Sequence, residues 1–180
     1  MKILRRKTMG RKNILAIVGF VAIISASLGL NINSTENIQG KIIKVYDGDT
    51  ITLDIGDSKK TRIRLYGIDA PESDQSFGKQ SQENLLATCP LESIANVSVK
   101  SKDRYGRLVG VVYCNGVDAN KKQVVDGFAW AYKEFSTDYI REEISARLDS
   151  RGLWSEKNPV YPQEYRKENK KRQQKGKEAY

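Results

Sequence analysis

The stretch "GKIIKVYDGDTITLDIGDSKKTRIRLYGI", residues 40–68, limits the possible folds more than any other part of the chain. Apolar and polar side chains alternate through three short runs, about 40–46, 50–55 and 60–67, and Asp47-Gly48-Asp49 and Gly56-Asp57-Ser58 separate them with turn residues. A period of two places successive side chains on opposite faces of an extended chain, so each run reads as a strand with one buried face. Turns this short make neighbouring strands antiparallel. The apolar face of the resulting meander must then be covered by elements later in the chain.

Residues 77–88, "FGKQSQENLLAT", read as a helix that ends before Pro90. "NVSVKSKDRYGRLVGVVYCNG" reads as a hairpin with strands near 96–102 and 107–114, turned by Asp103 to Gly106. A short helix near 119–126 is closed by Gly127, and "FAWAY", 128–132, is a compact apolar patch. A further helix starts at Ser136 or Thr137, with Ile140, Ile144 and Leu148 as its buried stripe at i, i+4 and i+8. Gly152 ends it, and Leu153 and Trp154 pack back. There is no internal repeat. The order β-β-β-α-β-β-α-α predicts an α+β fold, a five-stranded OB-fold β-barrel with about three flanking helices, preceded by an N-terminal apolar helix.

Residues 1–12 carry Lys2, Arg5, Arg6, Lys7, Arg11 and Lys12 with no acid, and an uncharged apolar run extends from Ile14 to Leu30. A basic flank before an apolar run is the layout of an export signal. Ser27-Leu28-Gly29 offers small residues for cleavage, while the run is also just long enough to stay as an anchor. The chain is therefore divided into a signal peptide or membrane anchor at 1–30, a linker at 31–37, the barrel domain at 38–156 and a basic polar tail at 157–180. The expected location is secreted or anchored to the outer side of the cell membrane, through residues 14–30 if they are uncleaved.

The net charge of +9 is unevenly spread. Residues 1–30 hold six basic and no acidic side chains and 157–180 hold eight basic and three acidic, which leaves 31–156 with 17 basic, 19 acidic and a net charge of −2. A polyanionic partner would thus meet local basic residues and a metal rather than a basic slab. The tail reads as a solvated helix or as disorder, with non-specific attraction to polyanions as a secondary role. Cys89 and Cys114 would be able to pair in an exported protein, and two unpaired buried thiols are the other reading. The chain has no histidine, which excludes Ser-His-Asp and Cys-His chemistry and the usual zinc sites. Any catalysis falls to carboxylates, Arg, Lys or Tyr, and any metal to oxygen ligands, which suits Ca²⁺ or Mg²⁺.

Three separated segments carry more polar groups than their turns require: "DGDT" at 47–50, "RIRLYGIDAPES" at 62–73 and "DRYGR" at 103–107. Each alone passes as ordinary turn or strand chemistry. Together they meet the needs of phosphodiester hydrolysis, which are a hard cation on the phosphoryl oxygens, a base for water, and donors for developing charge. Asp49 and Asp69 supply oxygens for a cation, Glu72 is placed as the base, and Arg64 and Arg107 are planar, permanently charged forks for phosphate.

"VYDGDTITL", "RIRLYGIDAPE", "DRYGRLVGVVY" and "RGLWSE" resemble the staphylococcal nuclease (thermonuclease-like) family over about residues 38–156. The resemblance implies an OB-fold barrel that hydrolyses DNA and RNA with Ca²⁺, with Arg64, Glu72 and Arg107 as catalytic residues. It places calcium on Asp49, Asp69 and the backbone carbonyl of Ala70, with Asp47 behind them. The family often has Thr where Ala70 stands, but uses only that residue's carbonyl. Arg104 and Tyr105 would sit beside the substrate phosphate. Tyr132 resembles a tyrosine lining the nucleotide pocket, its other reading being a core aromatic. Stacking on such faces favours single strands, and the enzyme is expected to be a monomer. The competing expectations are a catalytically inactive OB-fold nucleic-acid-binding module and a calcium-binding surface module. The first should lack one of the five charged groups, and the second has no use for the two arginines.

Overall fold

The computed structural model describes residues 36–57 and 59–178. The three alternating runs form β1 (Asn37–Val45), β2 (Thr50–Asp54) and β3 (Lys60–Leu65), paired antiparallel in that order. A two-residue strand β4 (Ile68–Asp69) comes after β3, and α1 (Gly78–Thr88) comes after the Pro71 turn. The predicted hairpin is β5 (Ile94–Lys102) and β6 (Leu108–Cys114). β5 pairs antiparallel with β1, and β6 returns to β3 as a parallel pair, Ile63 opposite Leu108 and Leu65 opposite Gly110. That last pairing closes the five strands into a barrel. Register irregularities between Ile42 and Lys44 and between Val99 and Ser101 sit where strands must bend to close it.

The barrel interior is filled by Ile42, Ile51, Leu53, Ile63, Leu65, Val97 and Val112, all buried. These are the inward members of the period-two runs. The chain then makes β7 (Val117–Asp118), α2 (Ala119–Val125), β8 (Trp130–Ala131), α3 (Ile140–Leu148), a 3-10 turn (Gly152–Ser155) and α4 (Pro162–Glu178). β8 pairs with β4, Asp69 opposite Trp130. Asp118 caps α2 by accepting from the Lys121 N–H at 2.9 Å. Gly127, at φ 78°, ends that segment against the backbone of Arg151, where any Cβ would collide.

The buried stripe expected on α3 is corrected by the structure. Ile144 and Leu148 are 51% and 81% exposed, whereas Glu143 and Ala146 are buried. The cause is the Glu143 carboxylate. It accepts from the Ala131 N–H at 2.7 Å and pairs with Lys133 at 3.1 Å and Arg147 at 2.8 Å, which rotates the helix so that this staple, and not the i, i+4, i+8 row, faces β8. Leu153 and Trp154 do pack back as expected. Trp154 lies edge-on to Trp130 with ring centres 4.3 Å apart, and the Arg147 guanidinium sits 3.8 Å over the Trp154 ring.

The tail is a helix, and its start is not free in solvent. Tyr161 packs on Trp130 at 5.1 Å, the Tyr165 hydroxyl donates to the Asp74 carbonyl at 3.0 Å, and Gln75 donates to the Val160 carbonyl at 2.6 Å. Among the described residues no helix is long and apolar enough to cross a membrane. The expectations for residues 1–30, and for the linker up to residue 35, fall outside the described residues.

Cys89 and Cys114 are joined, tying the end of α1 to the end of β6 across 25 residues of sequence. Closing a loop of that length removes about 3 kcal/mol of unfolded-chain entropy. Urea titrations with and without a thiol reductant should therefore differ by roughly that amount in unfolding free energy. Coincident curves would mean that the bridge restrains nothing in the unfolded chain.

Candidate active site

The site begins at the "DGDT" turn. The Asp49 N–H donates to Asp47 Oδ1 at 3.0 Å, a local bond typical of aspartate in turns. Gly48 is pressed against Ser81 of α1, leaving no room for a Cβ. The Gly48 carbonyl accepts from Gln123 Nε2 at 2.7 Å, and the same amide donates to the Ser81 carbonyl at 3.0 Å. Gln123, buried on α2, thus fixes the turn from inside the protein.

Register brings the next groups in. Thr50 on β2 stands opposite Arg64 on β3. Because Ile63 and Leu65 fill the interior, Arg64 is on the outer face, beside the turn. Its Nη1 lies 3.0 Å from Asp49 Oδ2 and its Nη2 3.0 Å from Asp69 Oδ1, while Nη1 also donates to the Leu65 carbonyl at 3.0 Å. Asp49 Oδ2 further accepts the Ala70 N–H at 2.8 Å. The short β4–β8 ladder holds Asp69, whose side chain is 1% exposed. Beyond Pro71, the partly exposed Glu72 is set by a small turn in which its N–H donates to Gln75 Oε1 at 3.2 Å and its carbonyl accepts the Gln75 N–H at 2.9 Å.

A residue that the sequence pattern did not single out completes the group. Arg166 of α4 donates to Asp69 Oδ2 at 2.8 Å, to Asp69 Oδ1 at 3.2 Å and to Glu72 Oε1 at 2.6 Å. Asp49, Arg64, Asp69, Arg166 and Glu72 therefore form one chain of alternating charge. Burial works against the charge of Arg166, and its bonds to Asp69 and Glu72 outweigh that, holding the guanidinium above its ordinary pKa. Burial raises the Asp69 carboxyl despite Arg166 and Arg64. Burial, with Asp49 alongside, pushes Asp47 up to about 7. The Tyr132 phenol is raised by burial and then by the Asp69 charge.

Arg107, Arg104 and Tyr105 make a second group on the β5–β6 loop. Arg107 precedes Leu108, the partner of Ile63, so parity puts it on the outer face that carries Arg62 and Arg64. Its Nε donates to Asp103 Oδ2 at 2.7 Å, and that aspartate also accepts from the Arg107 and Tyr105 backbone N–H groups at 2.9 Å. Arg104 lies 4.9 Å over the exposed Tyr105 ring, and Arg107 lies 5.7 Å from it. In the structure Arg107 is thus bonded to its own loop, while Arg64, Asp49, Asp69 and Glu72 are joined. Tyr132 packs against Phe135, ring centres 4.6 Å apart, and its N–H donates to the Gly67 carbonyl at 2.9 Å.

The donors around Asp49 and Asp69 suit a hard cation. They are carboxylate and carbonyl oxygens, and burial, with the Asp49 charge adding to it, raises the Asp47 and Asp69 carboxyls, a cost that a cation would relieve. Among the described residues no three carboxylates are gathered tightly enough to cage an ion alone. Asp49, Asp69 and the Ala70 carbonyl would hold one with water and substrate oxygen completing its shell.

The family model for staphylococcal nuclease homologues matches residues 62–156, which include both arginine segments and the Asp69–Glu72 turn. The chain belongs to the staphylococcal nuclease family. A protein of Haemophilus influenzae named "Uncharacterized endonuclease" is 36% identical over 139 residues, covering 76% of this chain and 78% of that one. A protein of the same name in Escherichia coli O157:H7 is 39% identical over 130 residues, 70% of this chain and 83% of its own. The "Staphylococcal-like nuclease CAN1" of Arabidopsis thaliana is 40% identical over 112 residues, 61% of this chain and 34% of its own.

Gln123 within this nuclease-family domain, and Arg166 in the tail beyond it, are the residues that sequence reasoning passed over. Gln123 had no signal beyond a polar residue on a short helix. Arg166 had one. A tail with no docked part has no need of Tyr161 and Tyr165 four residues apart, nor of Pro162 at a helix start.

Two measurements probe the framework. Gln123→Leu leaves the buried Gly48 carbonyl without its donor, and should cost about 2 kcal/mol of stability by chemical denaturation. An unchanged midpoint would mean that the turn does not depend on that amide. Asp47 keeps a proton in the folded state up to about pH 7 that the unfolded chain has released by about pH 4. Stability in chelator should therefore fall as pH rises across that window, and Asp47→Asn should flatten the fall. An identical pH profile in the variant would rule out this origin.

Proposed function

We propose that the chain is an exported, calcium-dependent nuclease that hydrolyses phosphodiester bonds of DNA and RNA at the Arg64–Asp49–Asp69–Glu72 site. Membership of the staphylococcal nuclease family and the endonuclease names of its relatives support hydrolysis of nucleic acid. The observation that carries the site is Arg64 bridging Asp49 and Asp69 at 3.0 Å each, with Glu72 just across the Pro71 turn. A structural ion pair needs one carboxylate per guanidinium. Two buried ones, one in the turn before β2 and one on β4, beside a third acid that is partly exposed, form a reactive arrangement.

In this reading Asp49, Asp69 and the Ala70 carbonyl hold Ca²⁺, which when bound neutralises charge on the phosphoryl oxygens. Glu72 takes a proton from water as the water oxygen bonds to phosphorus. The opposite phosphorus–oxygen ester bond breaks, and the leaving oxygen takes a proton from solvent water, while Glu72 returns its proton to solvent. Arg64 grips the phosphate from the outer face of β3, and Arg107 joins it by exchanging Asp103 for substrate, both as planar donors that stay charged at any working pH. Arg104 and Tyr105 lie beside the phosphate, and Tyr132 offers a face to a base. Stacking of that kind reads no sequence and favours flexible single strands. The basic flank and apolar run at 1–30 support export, with Ca²⁺ drawn from outside the cell, where weak sites suffice.

Denatured DNA should be cut with Ca²⁺ and spared in chelator, and Glu72→Gln should slow cutting by about 10²- to 10⁴-fold while its circular dichroism stays that of the parent. Cutting that persists equally in chelator, or survives Glu72→Gln, would overturn this mechanism.

A further inference from the structure

Arg166 occupies the oxygens that the proposed reaction needs. Asp69 Oδ1 accepts from Arg64 and from Arg166, Asp69 Oδ2 accepts from Arg166, and the same guanidinium takes Glu72 Oε1. A carboxylate oxygen has two lone-pair directions, so the doubly bonded Oδ1 is filled, and Oδ2 lies beneath a guanidinium whose positive charge repels a dication. Glu72 is held through Oε1 by Arg166 at 2.6 Å, so its carboxylate is not free to reorient toward a water while that pair lasts.

The two arginines on Asp69 are held very differently. Arg64 belongs to a barrel strand and is bonded to the carbonyl next to it. Besides Arg166's own bonds, its helix is attached through the buried Pro162 and the Tyr165 hydroxyl on Asp74, and just before it through Gln75 on the Val160 carbonyl and Tyr161 with Trp130 and Glu134. A mostly apolar crevice of about 180 Å³ lies beneath that attachment, lined by Pro71, Trp130, Val160 and Tyr165 among others, so the segment is incompletely packed against the domain. Lys170, Lys171, Arg172 and Lys175 further along α4 are exposed. The weaker tether is therefore the one that yields.

We propose that Arg166 is a resident counter-cation of the site, which divalent cation displaces from Asp69 and Glu72, so that the C-terminal helix sets the affinity for the ion. This rests on the calcium reading above. Displacement has two consequences at once, because it frees Asp69 for the ion and Glu72 for water. Arg166 is a positioning residue in this scheme, acting through the two carboxylates and not on substrate.

The test is calcium titration by isothermal calorimetry on the metal-stripped full-length chain, which reads affinity without reference to cutting. Arg166→Gln removes the competing charge and should tighten calcium binding by roughly tenfold, within the usual range for coupled sites. Arg166→Lys should stay near the parent. Tyr165→Phe, which loosens the helix from Asp74 without touching a carboxylate, should shift affinity in the same direction by a smaller factor. Calcium should also raise the melting temperature of Arg166→Gln more than that of the parent. Unchanged or weaker calcium affinity in Arg166→Gln overturns the inference while leaving the calcium reading intact. No calcium binding by either protein overturns that reading, and the inference with it.

Discussion

Asp49 and Asp69 are carboxylates with almost no access to water, and a charge in that position costs several kcal/mol unless it is paired and hydrogen-bonded. Arg64 is their common partner. The surrounding fold can be understood as the means of bringing those three side chains together. Barrel closure sets β3 between β2 and β6, which puts Arg64 next to the Asp47–Asp49 turn. The β4–β8 ladder then holds Asp69 on the other side of the guanidinium. Gln123 pins the turn from within, and the Ala70 N–H, bonded to Asp49, joins the two acidic segments directly.

Such an arrangement is poor as a stabilising device. Buried ion pairs often do no better than apolar residues of the same size, because desolvation offsets the attraction. Here burial outweighs the attraction, since it raises the Asp69 and Asp47 carboxyls despite the arginines beside them. Residual imbalance of this kind suits a site that binds a cation and a phosphate, whose charges complete what the protein leaves unbalanced. The second arginine, from α4, relieves part of it without substrate.

The barrel was legible because its strands obey a period of two and its turns are tight, which are local properties. The α4 docking was less so, because Tyr161, Tyr165 and Arg166 find partners far away in sequence, up to 97 residues for Arg166 and Asp69; the spacing of Tyr161, Pro162 and Tyr165 hints that the tail docks, but no local pattern names its partners. The α3 stripe misled for a related reason. Ile140, Ile144 and Leu148 have the right spacing, but the buried Glu143, with its own backbone and basic partners, outweighed two leucine-sized side chains in setting the helix rotation. Arg64, Asp49, Asp69 and Glu72 stand out in the sequence as a surplus of charged groups around two turns, and the structure brings them together. Arg107 was singled out by the same reasoning, but in the structure it pairs with Asp103, a partner that the "DRYGR" turn itself could have suggested.

All of this turns on the Asp49–Asp69 pair being the cation-binding, reactive centre of the molecule. Carboxyl-carbon NMR during a calcium titration addresses it residue by residue. The Asp49 and Asp69 signals should shift together and saturate at one concentration, with Asp103 and Asp118 still. Signals of Asp49 and Asp69 that stay fixed while other carboxylates respond would contradict it.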